Sequence, residues 1–122
     1  MKSKDAVPIL SALAQEHRLE VFRLLVRAGV NGLPPSRIVE RLKLSAPTLS
    51  FHLAQLKYAG LVHVRRDGRS LIYTANYDSM NRLMEFLTDN CCAGDLSSCG
   101  VLVCEPESAT VVRRTTKRAA RR

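Results

Sequence analysis

The chain has 122 residues and a formal net charge of +8, so it is long enough for one domain with tails and a modest core. An apolar fraction of 46% fits a globular protein, and an aromatic fraction of 5% predicts a mainly aliphatic core. No apolar run approaches the roughly 20 residues that a membrane-spanning helix needs, and the N-terminal residues make a poor secretion signal. We therefore expect a cytoplasmic protein with reduced thiols and no membrane partner.

Positive charge is concentrated at the C-terminal end. Residues 113–122 hold six of the 19 Lys and Arg residues and no acid, which leaves 13 basic against 11 acidic residues elsewhere, a net charge of +2. We expect residues 105–122 to be a basic, disordered tail with a secondary affinity for DNA. The overall charge favours an anionic partner.

Two helices are predicted at the start of the chain. Residues 6–14 have apolar side chains on one side, and residues 16–28 carry a stronger helical pattern. Gly29 is expected to end the second helix, since glycine is the usual residue after a helix C-terminus. The buried stripe predicted for the second helix consists of Leu19, Phe22, Leu25 and Val26.

Two short helices joined by a tight turn are predicted next. Ser36 is expected to cap a helix over residues 37–42, and Ser45 is expected to cap a helix that ends near Tyr58. Residues 43–44 form the turn between them. The core side predicted for the second of these helices consists of Leu49, Leu53 and Leu56.

A β-hairpin and a last helix complete the predicted elements. Residues 61–66 and 69–75 are rich in β-forming side chains and flank Asp67-Gly68, which is a strong hairpin signal. Asp78 is expected to cap the last helix, residues 79–89. The apolar face predicted for that helix consists of Met80, Leu83, Met84 and Leu87.

This order of elements, mainly α with a β-hairpin wing, is that of a winged helix-turn-helix. The second helix of the pair would enter the major groove of DNA, and the hairpin would follow the backbone. Short polar groups suit base edges, and arginines at a hairpin tip suit phosphates. The DNA contacts predicted on the helix are Ser45, Thr48, Ser50, His52, Gln55 and Lys57. The contacts predicted on the wing are Arg65, Arg66 and Arg69.

Taken one at a time, the features of this surface are ambiguous. A polar helix face or a basic hairpin could be merely solvated, and His63 is expected to be a surface residue. His52 could instead lie at the edge of the core, bonded to the backbone. Phe51 lies near the groove-facing side and could either contact a thymine methyl group or fill a packing gap.

Three stretches, HRLEVFRLL, SAPTLSFHLAQLKYAGLV and RRDGRSLIYTAN, carry a family resemblance. Through them, residues 9–77 resemble the ArsR/SmtB family of bacterial winged-helix sensors. The resemblance implies four helices, a hairpin and a fifth helix, assembled as a homodimer through the first and last helices. It also implies repression at a double-stranded operator that a bound ion relieves.

All four cysteines lie close together near the C-terminus, and they are Cys91, Cys92, Cys99 and Cys104. The family's best-known arsenic site is absent, because residues 33–37 contain no cysteine, and residues 79–89 lack the histidines of its zinc sites. The cluster resembles a subgroup with arsenic-binding thiols after the last helix. Soft thiolates select soft ions, and trivalent arsenic takes three sulfurs. We expect Cys91, Cys92 and Cys99 as ligands, with Cys104 as the alternative third ligand.

These patterns predict a repressor that trivalent arsenic or antimony releases from DNA, with no permanent cofactor and no small organic substrate. The predicted division is residues 1–90 for DNA binding and dimerisation, 91–104 for the ion and 105–122 for the tail. A thiol-redox switch, a structural zinc site without C-x-x-C spacing, and incidental thiols stay open. So does a DNA-packaging protein with steep salt dependence. An enzyme is not expected, because no histidine neighbours the cysteines.

Overall fold

The computed structural model describes residues 1–94, so Cys99, Cys104 and the basic tail lie outside the described residues. Met1–Asp89 forms one compact unit, and Asn90 begins the next. A short 3-10 turn lies at Gly29–Asn31, and Cys91–Gly94 forms a turn that contains left-handed residues. The longer elements of the described part are α1 (Ser3–Leu13), α2 (Glu16–Ala28), α3 (Pro35–Leu42), α4 (Ala46–Tyr58), β1 (Val62–Asp67), β2 (Ser70–Ala75) and α5 (Tyr77–Leu87). The predicted order of elements is confirmed, and the fold is a winged helix-turn-helix.

Helix boundaries differ from the predicted ones where a neighbouring residue makes the better cap. Helix α1 begins at Ser3 rather than at residue 6, because the Asp5 carboxylate accepts a hydrogen bond from the Lys2 backbone N–H at 3.1 Å. The prediction that Ser36 caps α3 is wrong, since α3 begins at Pro35, whose missing N–H costs nothing in a first turn. The cap predicted at Ser45 is confirmed, with its hydroxyl oxygen 3.3 Å from the backbone nitrogen of Thr48.

Asn76 fixes the junction between the wing and α5. It, and not the predicted Asp78, is the N-cap, because its Oδ1 accepts a hydrogen bond from the Ser79 N–H at 3.1 Å. Its Nδ2 donates to the Gly60 carbonyl at 2.8 Å, and its backbone N–H donates to the Leu61 carbonyl at 2.8 Å. One residue therefore joins the end of β2, the segment before β1 and the first turn of α5.

The core is aliphatic, as the composition predicts. Its fully buried side chains, each under 2% exposed, include Val21, Leu25, Ile38, Leu49, Leu56 and Leu61. Leu19 was predicted to be buried but is 40% exposed, and on the predicted apolar face of α5 Met84 is 48% and Leu87 57% exposed. Helical periodicity identified their apolar faces correctly, but α2 turns Val21 inward instead, and only Leu83 of α5 is buried. The outer face of α5 is thus left open in a single chain.

The wing is a two-stranded antiparallel sheet whose pairing runs from Val62 opposite Ala75 to Asp67 opposite Ser70. The predicted hairpin is confirmed, but its two-residue turn is Gly68-Arg69, one residue later than the predicted Asp67-Gly68. A bridge between Leu33 and Tyr73, with N–O distances of 3.0 and 2.9 Å, ties the segment before α3 to the wing. Gly32 precedes this bridge with φ +69°, and a Cβ there would lie 2.6 Å from a methyl carbon of Thr74. Glycine is therefore required for the close approach.

Candidate nucleic-acid interface

Helix α4 buries one face and presents the opposite one to solvent. Four side chains spaced three and four residues apart form the buried stripe, and they are Leu49, His52, Leu53 and Leu56. The turn from α3 is made by Lys43, which adopts the left-handed conformation with φ 57°. Because the stripe is locked against the core, the outward direction of every other α4 side chain is fixed.

Five of the residues predicted to contact DNA from α4 are exposed, namely Ser45, Thr48, Ser50, Gln55 and Lys57. The Ser45 hydroxyl donates to the Thr48 hydroxyl at 2.7 Å, so these two side chains form one polar unit at the helix start. Such a unit still offers lone pairs and rotatable hydroxyl groups to a base edge or a phosphate. These assignments to DNA stay predictions, but the structure places all five side chains where DNA can reach them.

His52 is the exception, and its predicted place on the groove-facing surface is wrong. Its side chain is only 6% exposed, and its ring lies 5.8 Å from that of His17. Burial lowers the pKa of His52, and the neighbouring charges of Arg18 and His17 lower it further. Within the described residues, its Nδ1 has no hydrogen-bond partner. His52 therefore lies at the edge of the core, although the backbone bond expected there is not made by Nδ1.

The three arginines of the wing divide into two roles. The Arg65 guanidinium donates to the backbone carbonyls of Asn31 at 3.0 Å and Val30 at 3.4 Å, which anchors the wing to the turn after α2. Arg66 lies near the end of β1 and Arg69 lies in the two-residue turn, and both are exposed. Within the described residues, neither guanidinium group donates a hydrogen bond of the kind that Arg65 makes. His63 is exposed, as expected for a strand surface residue. Arg66 and Arg69 are thus the arginines available to phosphate groups.

Two exposed aromatic side chains share the outer face of α4. Phe51 is 58% exposed, so it does not fill a packing gap in this chain, and Tyr58 is 93% exposed. Sequence reasoning did not single out Tyr58. The signal was present, since Phe51 and Tyr58 are seven residues apart and both lie opposite the leucine stripe.

The described part of the cysteine cluster is the turn Cys91–Gly94. Cys91 is half-buried and Cys92 is exposed. Cys92 and Ala93 both have φ of 56°, a left-handed conformation that residues other than glycine rarely adopt. Among residues 1–94, no group of three His, Cys, Asp or Glu side chains is placed to hold a metal ion. The predicted third ligand, Cys99 or Cys104, lies outside the described residues, so the ion site stays a prediction.

None of the described helices combines the length and the apolar character needed to cross a membrane.

Comparison with known proteins agrees with this geometry. A family described as "Helix-turn-helix domain" matches residues 13–65. The chain is 35% identical over 85 residues to "Transcriptional activator HlyU" of Vibrio cholerae, covering 70% of this chain and 76% of the relative. It is 31% identical over 87 residues to the "Arsenical resistance operon repressor" of Staphylococcus aureus, covering 71% and 81%.

A solved structure shows the same fold. It is the "ArsR-like Transcriptional Regulator from Rhodococcus sp. RHA1", with a TM-score of 0.63, 28% identity, and coverage of 69% of this chain and 76% of that one. These relatives are regulators of transcription rather than enzymes. The fold and these similarities together show that the chain belongs to the ArsR/SmtB family of winged-helix transcriptional regulators.

Proposed function

We propose that this protein is a cytoplasmic repressor that binds operator DNA as a homodimer and is released by trivalent arsenic or antimony. One observation carries the proposal: all four cysteines lie within residues 91–104, and residues 1–90 contain none. Cysteines without a shared role would be expected at scattered positions along the sequence, not all in the short segment after α5. The similarity to an arsenical resistance repressor supports this choice of ion.

The DNA-binding part of the proposal rests on two surfaces. The exposed polar side chains of α4 would enter the major groove, and Arg66 and Arg69 would contact phosphates beside it. Arg65 supports these contacts indirectly by holding the wing on the Gly29–Asn31 turn. In a dimer, two such units would read half-sites about one helical turn apart, roughly 34 Å.

The homodimer is supported by exposed apolar side chains on the outermost helices. Val7 is 60% exposed on α1, and Met84 and Leu87 are 48% and 57% exposed on α5. The two helices are neighbours, because residues from both line one surface depression that includes Asp5 and Phe86. These exposed apolar side chains are what a dimer interface through the first and last helices would cover.

The ion would act through the end of α5. Three residues, Thr88 to Asn90, separate the last residue of that helix from Cys91. Thr88 closes the helix by donating its hydroxyl hydrogen to the Met84 carbonyl at 2.8 Å. Cys91, Cys92 and either Cys99 or Cys104 would supply three thiolates, and gathering them on one ion would move the chain that leaves α5. By linkage, the ion and the DNA then weaken each other's binding by the same factor.

The relatives differ in the direction of regulation, since HlyU is described as an activator and the Staphylococcus protein as a repressor. Repression is proposed here because release from DNA is the simplest output of an ion bound beside the dimer helix. It requires only that the ion favour a dimer whose recognition helices no longer match the half-site spacing.

The test is fluorescence anisotropy with the DNA upstream of the protein's own gene, under reducing conditions. Arsenite, methylarsenite, antimonite, zinc and peroxide are added in turn. We expect arsenite and antimonite to release the DNA and zinc to leave it bound. Release by methylarsenite in a variant that no longer responds to arsenite would indicate a two-thiol site.

Single Cys→Ser variants at the four positions identify the ligands, and Ser98→Ala in the same segment is the matched control. Cys91→Ser and Cys92→Ser should abolish release, while Ser98→Ala should respond as the parent does. Whichever of Cys99→Ser and Cys104→Ser abolishes release marks the third ligand. Release by peroxide alone would replace the proposal with a redox switch. Binding without sequence preference would indicate a packaging protein.

A further inference from the structure

The outer face of α4 is apolar at its centre. At about 100° per residue, the side chains directly opposite the buried stripe are Pro47, Phe51, Ala54 and Tyr58. All four are exposed, and Phe51 leaves 58% of its surface open in the single chain. An apolar strip along the middle of a recognition helix would be costly in solvent, so it indicates contact with a partner surface.

Phe51 is the member of this strip best placed to reach a base. It lies in the second turn of α4, and the N-terminal half of a recognition helix is the part that contacts base edges. Tyr58 is the last residue of the helix, roughly 10 Å further along the axis. The ring of Phe51 also meets the buried His52 ring edge-on, with centroids 5.7 Å apart, which supports the aromatic side chain from below.

A phenylalanine side chain has no hydrogen-bond donor or acceptor, so it can distinguish bases only through apolar contact. The major groove offers one apolar group, the 5-methyl of thymine, whereas cytosine carries only hydrogen at that carbon. We propose that Phe51 reads a thymine methyl group in each operator half-site. The proposal rests on the DNA-binding part of the proposed function and is independent of the ion.

The neighbouring side chains suit this contact. Ala54, one turn beyond Phe51, is small and exposed, so the helix can approach the groove floor closely at this point. Ser50 and Gln55 lie on either side of the apolar strip, where their polar groups can pair with the base edges that flank the thymine. The arrangement predicts that each operator half-site has one base pair recognised by apolar contact, flanked by base pairs recognised by hydrogen bonds.

The experiment replaces each thymine of the operator by deoxyuridine, one at a time, which removes a methyl group and no hydrogen bond. The operator is first selected from a randomised duplex pool with the full-length protein. We expect one position per half-site at which deoxyuridine weakens binding about fourfold, the loss for one buried methyl group. Substitution in both half-sites should weaken binding about fifteenfold, because distant effects add.

The decisive comparison uses Phe51→Ala with Tyr58→Ala as the matched control. Phe51→Ala should bind thymine and deoxyuridine equally at that position, whereas Tyr58→Ala should keep the full difference. Phe51→Leu, which keeps an apolar side chain, should retain part of it. Circular dichroism and mass photometry verify that each variant is folded and dimeric.

Two results would overturn the inference. One is an undiminished deoxyuridine effect in Phe51→Ala, and the other is the lack of any deoxyuridine effect at every thymine of a specifically bound operator. Either leaves operator binding itself intact. Failure to select any operator from the pool is a different result, since it would remove the proposed function and the Phe51 assignment together.

Discussion

Replacing His52 with leucine should stabilise the protein, although His52 lies within the segment that most resembles the family. The residue is only 6% exposed, and within the described residues its Nδ1 is without a hydrogen-bond partner. A buried polar atom left unpaired costs about 1–3 kcal/mol of stability. Leucine has a similar volume and continues the stripe of Leu49, Leu53 and Leu56. We expect His52→Leu to raise the free energy of unfolding at pH 7.5 by about 1 kcal/mol.

The gap between the parent and the variant should widen in acid. Burial and the charges of Arg18 and His17 lower the pKa of His52 in the folded protein, whereas the unfolded chain titrates near 6.5. Below pH 6.5 the unfolded state therefore binds a proton that the folded state does not, and the parent loses stability as the pH falls from 6.5 toward the folded pKa. For one proton, the added loss between about pH 7.5 and 5.5 is at most about 1.4 kcal/mol.

Thermal unfolding of the parent and His52→Leu at several pH values is the assay. A gain of about 1 kcal/mol corresponds to about 4–8 °C in the midpoint for a domain of this size. Because His17 and His63 are present in both proteins, the difference between the two midpoints isolates His52. A lower midpoint for His52→Leu at pH 7.5 would refute the packing argument. A difference that stays constant down to pH 5.5 would refute the titration argument.

Two further predictions test the junction between the wing and α5 and the different roles of the wing arginines. Asn76→Ala removes the cap of α5 and the 2.8 Å bond to the Gly60 carbonyl, so it should lower the free energy of unfolding in urea by about 2 kcal/mol. The control Asp78→Ala changes an exposed side chain two residues later and should lower it by less than half as much. Arg66→Gln removes one proposed phosphate contact, so it should lower the slope of log affinity against log salt concentration by about one and leave the unfolding midpoint unchanged. Arg65→Gln removes the bonds to the Asn31 and Val30 carbonyls, so it should lower the unfolding midpoint. An Arg65→Gln protein as stable as the parent would contradict the anchoring role.

The order of elements was predictable because each has a strong local signal. The Ser45 cap, the leucine stripe of α4 and the hairpin around Gly68 all depend on residues close together in sequence, although the hairpin turn lies one residue later than predicted. The predictions were wrong where contacts with residues distant in sequence determine the local structure. Either Asn76 or Asp78 is a good cap by itself, and the bond from Asn76 to Gly60, sixteen residues earlier, selects between them.

His52 shows the same limit on the recognition helix. Three residues after Leu49, it lies at the margin between the buried stripe and the polar face, and a histidine suits either environment. His17 and Arg18, in the first turn of α2, cover that margin and bury the ring. Nothing near His52 in the sequence identifies those two neighbours, so the helical pattern of α4 alone placed the side chain on the DNA-facing side.

The recognition helix therefore buries a histidine and exposes a phenylalanine, which is the reverse of what the polarity of the two side chains suggests. The two are adjacent, and successive helical residues point about 100° apart, so the buried stripe that takes His52 leaves Phe51 on the outer side. Their ring contact couples them. His52→Leu should consequently keep the thymine preference proposed for Phe51, since leucine can support the ring from the same position, whereas His52→Ala should weaken that preference by removing the support.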